Sequence, residues 1–401
     1  MTIEELHSIN TPEIKEIILK HRDDDPSEFA LKYSGKNIPV RAIAEQIYCY
    51  QRAVKKLPEL SRNNLLYEKT ALEQASGERT AKFKTAVSGF RIMDMTGGLG
   101  IDSIYLSSKF DSLVYCESDP VLYELFNKNI AALNIKNVSA YNGDSIVILQ
   151  NYPDNFFDWL YVDPSRRIKG KRLLNAQNYS PNIIEHQHLL FSKAEKILIK
   201  LSPADEIEEI KKQFTYIDEI MVVSVDNECK EILVVLNKSK SDKRIPVEAV
   251  ILNSKDTGFR VYSSKDNSPL KTITSPLQYF YEPDTAIIKA RITAEVSEMY
   301  SMKYINNSVD YLTSENYIPE FPGRRFIIKD SFAYNKKHLT GYFKSLKIIN
   351  ANFARRDFPD SPEVLHKKYR IEDGGNDYFF FTRDKENNLI VIHCTKPEHS
   401  S

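Results

Sequence analysis

Arg91-Ile-Met-Asp-Met-Thr-Gly-Gly-Leu-Gly-Ile-Asp102 is the stretch that decides how this chain folds. A short apolar strand, Phe90 to Met93, runs into an acid and a glycine-rich turn, and a helix is predicted from Ile101 to Ser108. Strand, turn and helix in that order open a nucleotide-binding α/β sheet. The spacing of the turn separates ligands. A dinucleotide fingerprint needs Gly-x-Gly-x-x-Gly, yet counting from Gly97 the third position is Leu99 and the sixth is Asp102. The pattern present is Asp-x-Thr-Gly-Gly-x-Gly, with Asp94 three residues before the first glycine. A carboxylate there repels a pyrophosphate but attracts an ammonium group, so the turn suits a nucleoside ligand with an amino-acid end.

S-adenosylmethionine is such a ligand, since it has an amino-acid end and no phosphate. The reading is therefore a methyl-transfer site, with Asp94 holding the amino group and Thr96, Gly97, Gly98 and Gly100 letting the ligand approach the backbone. A sheet of this kind needs a second acid at the end of the next strand to hold ribose hydroxyls. Glu117 follows Leu113–Cys116 at that place, about 20 residues after the first glycine. Asp144, after the strand Val138 to Tyr141, reads equally well as an acceptor for the adenine amino group or as the N-cap of a helix. Gln74, Ser76 and Thr80 precede the first strand and are placed either over the methionine end of the ligand or in an ordinary helix start.

The fourth strand ends Tyr161-Val-Asp-Pro-Ser-Arg-Arg167. Ligands in this architecture sit outside the carboxyl ends of the strands, which places Asp163 beside the reacting methyl group. Pro164 fixes the turn and offers its carbonyl. Enzymes that methylate amino groups use an acid, two prolines and an aromatic here; this chain keeps only Asp-Pro. Ser165, Arg166, Arg167 and Lys200 are the expected substrate contacts. The cations Arg166 to Arg172 suit phosphate contacts or a solvated loop. Lys200-Leu-Ser-Pro203 ends the fifth strand on the same rim.

Of 401 residues, 55 are basic and 55 acidic, which excludes a globally basic nucleic-acid binder but not a local patch. The four scattered cysteines and the absence of a His/Cys cluster argue against disulfides and a metal site. The N-terminus is acidic and no apolar run nears the roughly 20 residues of a membrane span, so a soluble, cytoplasmic protein is expected. Oligomeric state is not legible.

Apolar residues at helical spacing make 1–85 a helical region. Residues 86–240 alternate short apolar strands with helices and finish on two strands, Ile220 to Val225 and Glu231 to Leu236, joined by a polar link. A charged boundary follows. Residues 245–324 hold a hairpin (Val247 to Leu252, Phe259 to Tyr262) and, over Tyr279 to Ala290, a helix capped by Asp284 or the preceding turn. Residues 325–398 read strand, helix, strand, helix, strand, strand, an α+β module of its own. Between Phe321 and Ile371 there are 12 Lys/Arg against 4 Asp/Glu, with aromatics interleaved in Gly323-Arg-Arg-Phe, Arg355-Arg-Asp-Phe-Pro and Lys367-Lys-Tyr-Arg. That composition suits RNA, or a solvated face with paired charges.

Leu72-Glu-Gln-Ala-Ser76, Asp94 to Asp102, Asp163-Pro-Ser-Arg-Arg167, Lys200-Leu-Ser-Pro203, Arg356-Asp-Phe-Pro and Asp373-Gly-Gly-Asn-Asp-Tyr-Phe-Phe-Phe-Thr382 together resemble bacterial class I S-adenosylmethionine-dependent methyltransferases with a C-terminal THUMP-like domain. The resemblance covers nearly the whole chain. It implies a Rossmann-like seven-stranded sheet over 86–240, a ferredoxin-like module over 245–324 and a THUMP-like domain over 325–398. It also implies an RNA substrate, tRNA among the candidates, because THUMP domains proper bind RNA. The competing readings are methylation of a protein or small molecule, and a cofactor-binding scaffold without catalysis.

Overall fold

The computed structural model describes residues 1–164, 180–240, 244–253, 258–263 and 269–397, with backbone alone at 167–168 and 171–172. The chain divides into two compact units, Met1–Ile220 with Lys230–Ile245 and Met221–Cys229 with Pro246–Ser401.

The first unit opens on helices. Thr2, Thr11 and Asp25 cap α1 (Ile3–Ile9), α2 (Pro12–His21) and α3 (Pro26–Lys32) through side-chain oxygens that accept from first-turn amides. The long helix α4 (Val40–Lys56) buries Ala42, Ile43, Ile47, Cys49 and Ala53 on one stripe. Its Gln46, also buried, bonds the main chain of Tyr67 at both ends, giving its amide N–H to Tyr67 O at 2.6 Å and accepting from Tyr67 N at 3.0 Å. Two short helices, α5 (Lys69–Gln74) and α6 (Glu78–Lys84), lead to the sheet.

Strands β1 (Gly89–Asp94), β2 (Phe110–Glu117), β3 (Val138–Asn142), β4 (Phe157–Val162), β5 (Ala194–Leu201), β6 (Ile217–Val225) and β7 (Glu228–Asn237) lie in the order β3-β2-β1-β4-β5-β7-β6. The first five are parallel, and β7 runs antiparallel to β5. Helices α7 (Ile101–Leu106), α8 (Pro120–Ala132), α9 (Ser145–Gln150), α10 (Ile183–Lys193) and α11 (Ile207–Gln213) fill the connections. Continuous apolar runs such as Ile197–Ile199 and Ile232–Leu236 are fully buried, as strands covered on both faces require. Asp226 and Asn227, both at positive φ, make the tight turn between β6 and β7. This is the Rossmann-like sheet expected from the sequence. The strand order reverses between β1 and β4, so the carboxyl ends of those two strands flank the crevice where this architecture takes its ligand.

In the second unit, β8 (Val247–Leu252) and β9 (Phe259–Tyr262) form the expected hairpin. The stretch around Asp284 is more than a capped helix. Tyr279–Pro283 is strand β10, and α12 (Thr285–Ala290) starts only beyond Asp284, whose carboxylate accepts from Ala286 N. After α13 (Thr293–Met299) come β11 (Lys303–Tyr304), β12 (Leu312–Ser314), β13 (Gly323–Ala333), α14 (Lys336–Ser345), β14 (Asn352–Arg355), α15 (Pro362–Tyr369), β15 (Asp377–Arg383) and β16 (Leu389–Thr395). The strands make one sheet, in the order β11-β12-β10-β13-β16-β15-β14.

The regions read from sequence as two modules, 245–324 and 325–398, therefore share a sheet. Phe280 of β10, Ile305, Val309 and Tyr311 bury against Phe326, Phe380, Ile390 and Ile392 in a common core. Local periodicity could not report this, because the β10–β13 pairing joins residues more than forty apart, Tyr279 against Ile327. No described helix is long and apolar enough to cross a membrane. All four cysteines are free thiols, three of them buried.

Candidate active site

The glycine turn sits at the carboxyl end of β1 and is tied to both neighbouring strands. Met95 N donates to Tyr161 O of β4 at 3.0 Å, and Gly97 N donates to Cys116 O of β2 at 2.8 Å. Its glycines have different reasons to be glycine. A Cβ on Gly97 would lie 2.2 Å from the Tyr115 ring, and one on Gly100 2.2 Å from the Phe126 ring. Those two rings stack at 3.7 Å, so these glycines let the turn and α7 pack on an aromatic pair. Only Gly98, at φ +54°, has open space beside it, with nothing nearer than 3.9 Å.

Asp94 is buried, and its oxygens are taken up inside the turn. One accepts from Thr96 N at 3.0 Å and the other from Ser103 Oγ at 2.5 Å. Burial pushes its carboxyl up to about 7; the Ser103 and Thr96 bonds oppose this, and the nearby Asp102 and Asp163 charges add to it. Thr96 also accepts, through Oγ1, the backbone N–H of Asp163 at 2.6 Å. The turn is therefore bonded directly to the end of β4.

Glu117 Oε2 accepts from Gly98 N at 2.6 Å, and Oε1 accepts from Asp119 N at 2.8 Å. That places a half-buried carboxylate over the open glycine. Asp144 proves to be an N-cap, accepting from Ile146 N and Val147 N at 2.8 and 3.2 Å through one oxygen. It still borders the cleft.

At the other end, Asp163 Oδ2 pairs with Lys200 Nζ at 2.5 Å. Burial alone would lower the Lys200 ammonium, but the carboxylates of Asp163, Asp102 and Glu231 hold it above the ordinary lysine value. Lys200 is thus committed to Asp163 instead of pointing out as a free substrate contact. Ser165 and Arg166 lie outside the described residues, and Arg167 is described by its backbone alone, in a two-residue antiparallel ladder with Arg172.

These groups line one cleft of about 1130 Å³ in the first unit, bordered by Gln74, Asp94, Thr96, Gly98, Glu117, Asp144, Asp163, Pro164 and Lys200. The exposed Gln74 stands at its rim, while Thr80 turns away and donates to Gly77 O at 3.0 Å. No group of metal ligands occurs among the described residues.

Sequence reasoning missed a buried polar cluster that forms part of the cleft wall. Asp102 Oδ2 accepts from Ser76 Oγ and Tyr161 Oη, each at 2.7 Å. Lys84 Nζ lies 3.2 Å from the other Asp102 oxygen and 2.8 Å from Glu231 Oε1, with its side chain wholly buried. Burial raises the Glu231 carboxyl, whereas Asp102, buried as deeply, is held below the carboxylate range by Lys84, Lys200 and its two hydroxyl donors. The available signals were Ser76, read beside the methionine end or in a helix start, and Asp102, an acid two residues past the last glycine of the turn. His186 and Asn182 also border the cleft without having been singled out.

A parallel sheet closed by an antiparallel strand, a glycine turn bonded to the second acid and an acid-proline turn on the fourth strand define the class I methyltransferase fold. Residues 323–396 match the THUMP domain-like family model. An uncharacterized S-adenosylmethionine-dependent methyltransferase of Mycobacterium tuberculosis is 22% identical over 335 residues, 82% of this chain and 88% of that protein. Ribosomal RNA small subunit methyltransferase J of Bdellovibrio bacteriovorus is 32% identical over 124 residues, 30% of this chain and 49% of that protein. A crystal structure assigned as a methyltransferase from Porphyromonas gingivalis W83 superposes with a TM-score of 0.84 at 27% identity, covering 96% of this chain and 98% of that one. The chain is an S-adenosylmethionine-dependent methyltransferase of class I with a THUMP-like C-terminal domain.

Proposed function

We propose that the methyl acceptor is RNA, tRNA or ribosomal RNA, and that Asp163 orients the accepting group. The Asp163–Lys200 pair at the cleft edge carries this reading. Lys200 occupies Oδ2, which leaves Oδ1 without a partner among the described residues as an acceptor for an N–H or O–H of the nucleophile. Bound S-adenosylmethionine supplies an activated methyl group on a cationic sulfur. What the protein adds is orientation, exclusion of water and a place for the departing proton. Glu117 is proposed to hold the ribose, and Asp144, through its oxygen not used in capping, the adenine. Gln74 borders the methionine end, and the Pro164 carbonyl shares the acceptor with Asp163. Asp94, enclosed by Thr96 and Ser103, would meet the amino group through water and otherwise shapes the turn. Ser165, Arg166 and Arg167 follow as substrate contacts.

The similarity to a ribosomal RNA methyltransferase and the THUMP-like match support RNA. So does the second unit, where Lys336, Lys337, Lys344, Lys347, Lys367 and Arg370 are exposed on α14, α15 and the residues after them. An RNA substrate would place the protein in the cytoplasm. Incubation with tritiated S-adenosylmethionine and total RNA from a strain lacking the gene is the direct test. Label in RNA is expected; label confined to protein or metabolites would overturn the substrate.

A further inference from the structure

The turn, the wall of the cleft and the end of β4 meet on a single buried carboxylate. Ser76 belongs to the segment after α5 that borders the cleft; Asp102 lies in the first turn of α7; Tyr161 is two residues before Asp163 on β4. Ser76 and Tyr161 both donate to the same oxygen of Asp102. Lys84 takes the other oxygen and anchors the group to Glu231 on β7. In the β5–β7 pairing Lys200 stands opposite Leu233 and Leu201 opposite Ile232, so this anchor adjoins the strand end that holds Asp163's partner.

Burying an ionised acid costs several kcal/mol, and an apolar cluster of similar volume is often at least as stable. The ion earns its place by geometry. An ionised carboxylate accepts two hydroxyls and an ammonium together, which a protonated acid or an amide cannot do. We propose that Asp102 is a positioning residue that registers the Ser76 wall of the cofactor cleft against the β4 end carrying Asp163. The inference rests on the assignment of this cleft as the S-adenosylmethionine site.

Ser76 and Tyr161 share the Asp102 oxygen, so energetic coupling between them reports the carboxylate. The test is a double-mutant cycle on the full chain, read by calorimetry with S-adenosylmethionine. Ser76→Ala is expected to raise Kd about fivefold. Ser76→Ala combined with Tyr161→Phe should depart from the product of the single effects by at least threefold, a departure that vanishes in an Asp102→Asn background. In steady state Ser76→Ala should raise the KM for S-adenosylmethionine more than it lowers kcat, a split that general loss of stability does not produce. Independent, multiplicative effects in the wild-type background would overturn the proposal. Failure of the wild-type protein to bind S-adenosylmethionine would overturn the site assignment instead. If Asp102→Asn does not fold, the Ser76/Tyr161 cycle in the wild-type background still decides.

Discussion

Asp163 presents one oxygen to Lys200, so its direction is set by a neighbour instead of by solvent. Asp163→Asn keeps the shape and loses the charge. Turnover is expected to fall roughly 10²- to 10⁴-fold, the range for a positioned acid–base group, while the calorimetric Kd for S-adenosylmethionine changes little. Asp94 offers a pH test. Its carboxyl is raised to about 7 in the folded protein from 3.8, mainly by burial. A group raised in the fold contributes stability that is complete below its unfolded value and is lost as pH rises through the folded one. The Tm of the wild type relative to Asp94→Asn should therefore fall between about pH 4 and pH 7 and level off above. A flat difference in paired melting curves would contradict the burial argument.

At the level of elements, β10 and the Arg356-Asp-Phe-Pro segment show what family signatures can conceal. Glu282, near the end of β10, is buried and pairs with Arg324 of β13 and with Arg356, the latter at 3.2 Å. Arg356 also lies over the Tyr311 ring at 5.1 Å. Arg355 donates to Phe358 O at 2.7 Å, and Arg325 donates to Pro319 O. These arginines, which in sequence suit either RNA contacts or paired charges, are engaged in ion pairs and in bonds to main-chain carbonyls. Glu282→Ala leaves two partly exposed cations beside an emptied site and should cost about 1–3 kcal/mol in chemical denaturation. Replacing Glu282, Arg324 and Arg356 together by apolar residues of similar volume should cost less than the single change.

For the molecule as a whole, neutral net charge conceals an uneven distribution. The exposed cations of the second unit include the lysines of α14 and α15, and these are the proposed phosphate contacts. Changing Lys336, Lys337 and Lys344 to Ala should weaken RNA binding at low salt. It should also flatten the slope of log K against log salt by about 0.9 for each phosphate no longer neutralised on double-stranded segments. An unchanged slope in filter binding at several salt concentrations would remove α14 from the interface.

Much of the catalytic unit was legible because its signals are local. A strand followed by an acid, glycines at fixed spacing and an acid at the next strand end are all written within about thirty residues, and Asp94, Gly98, Glu117 and Asp163 converge on one cleft. The alternation of short apolar runs with helices likewise set the parallel sheet, since strands buried on both faces need no partner to be recognised. Three things came only with the tertiary structure. Gly97 and Gly100 proved to answer to the aromatic rings of β2 and α8. Lys84, Asp102 and Glu231, up to 147 positions apart, met in one ion cluster. The two C-terminal regions fused into a single sheet through β10. In each case the deciding interaction joins residues distant in the chain, and its energy depends on burial, which local pattern does not encode.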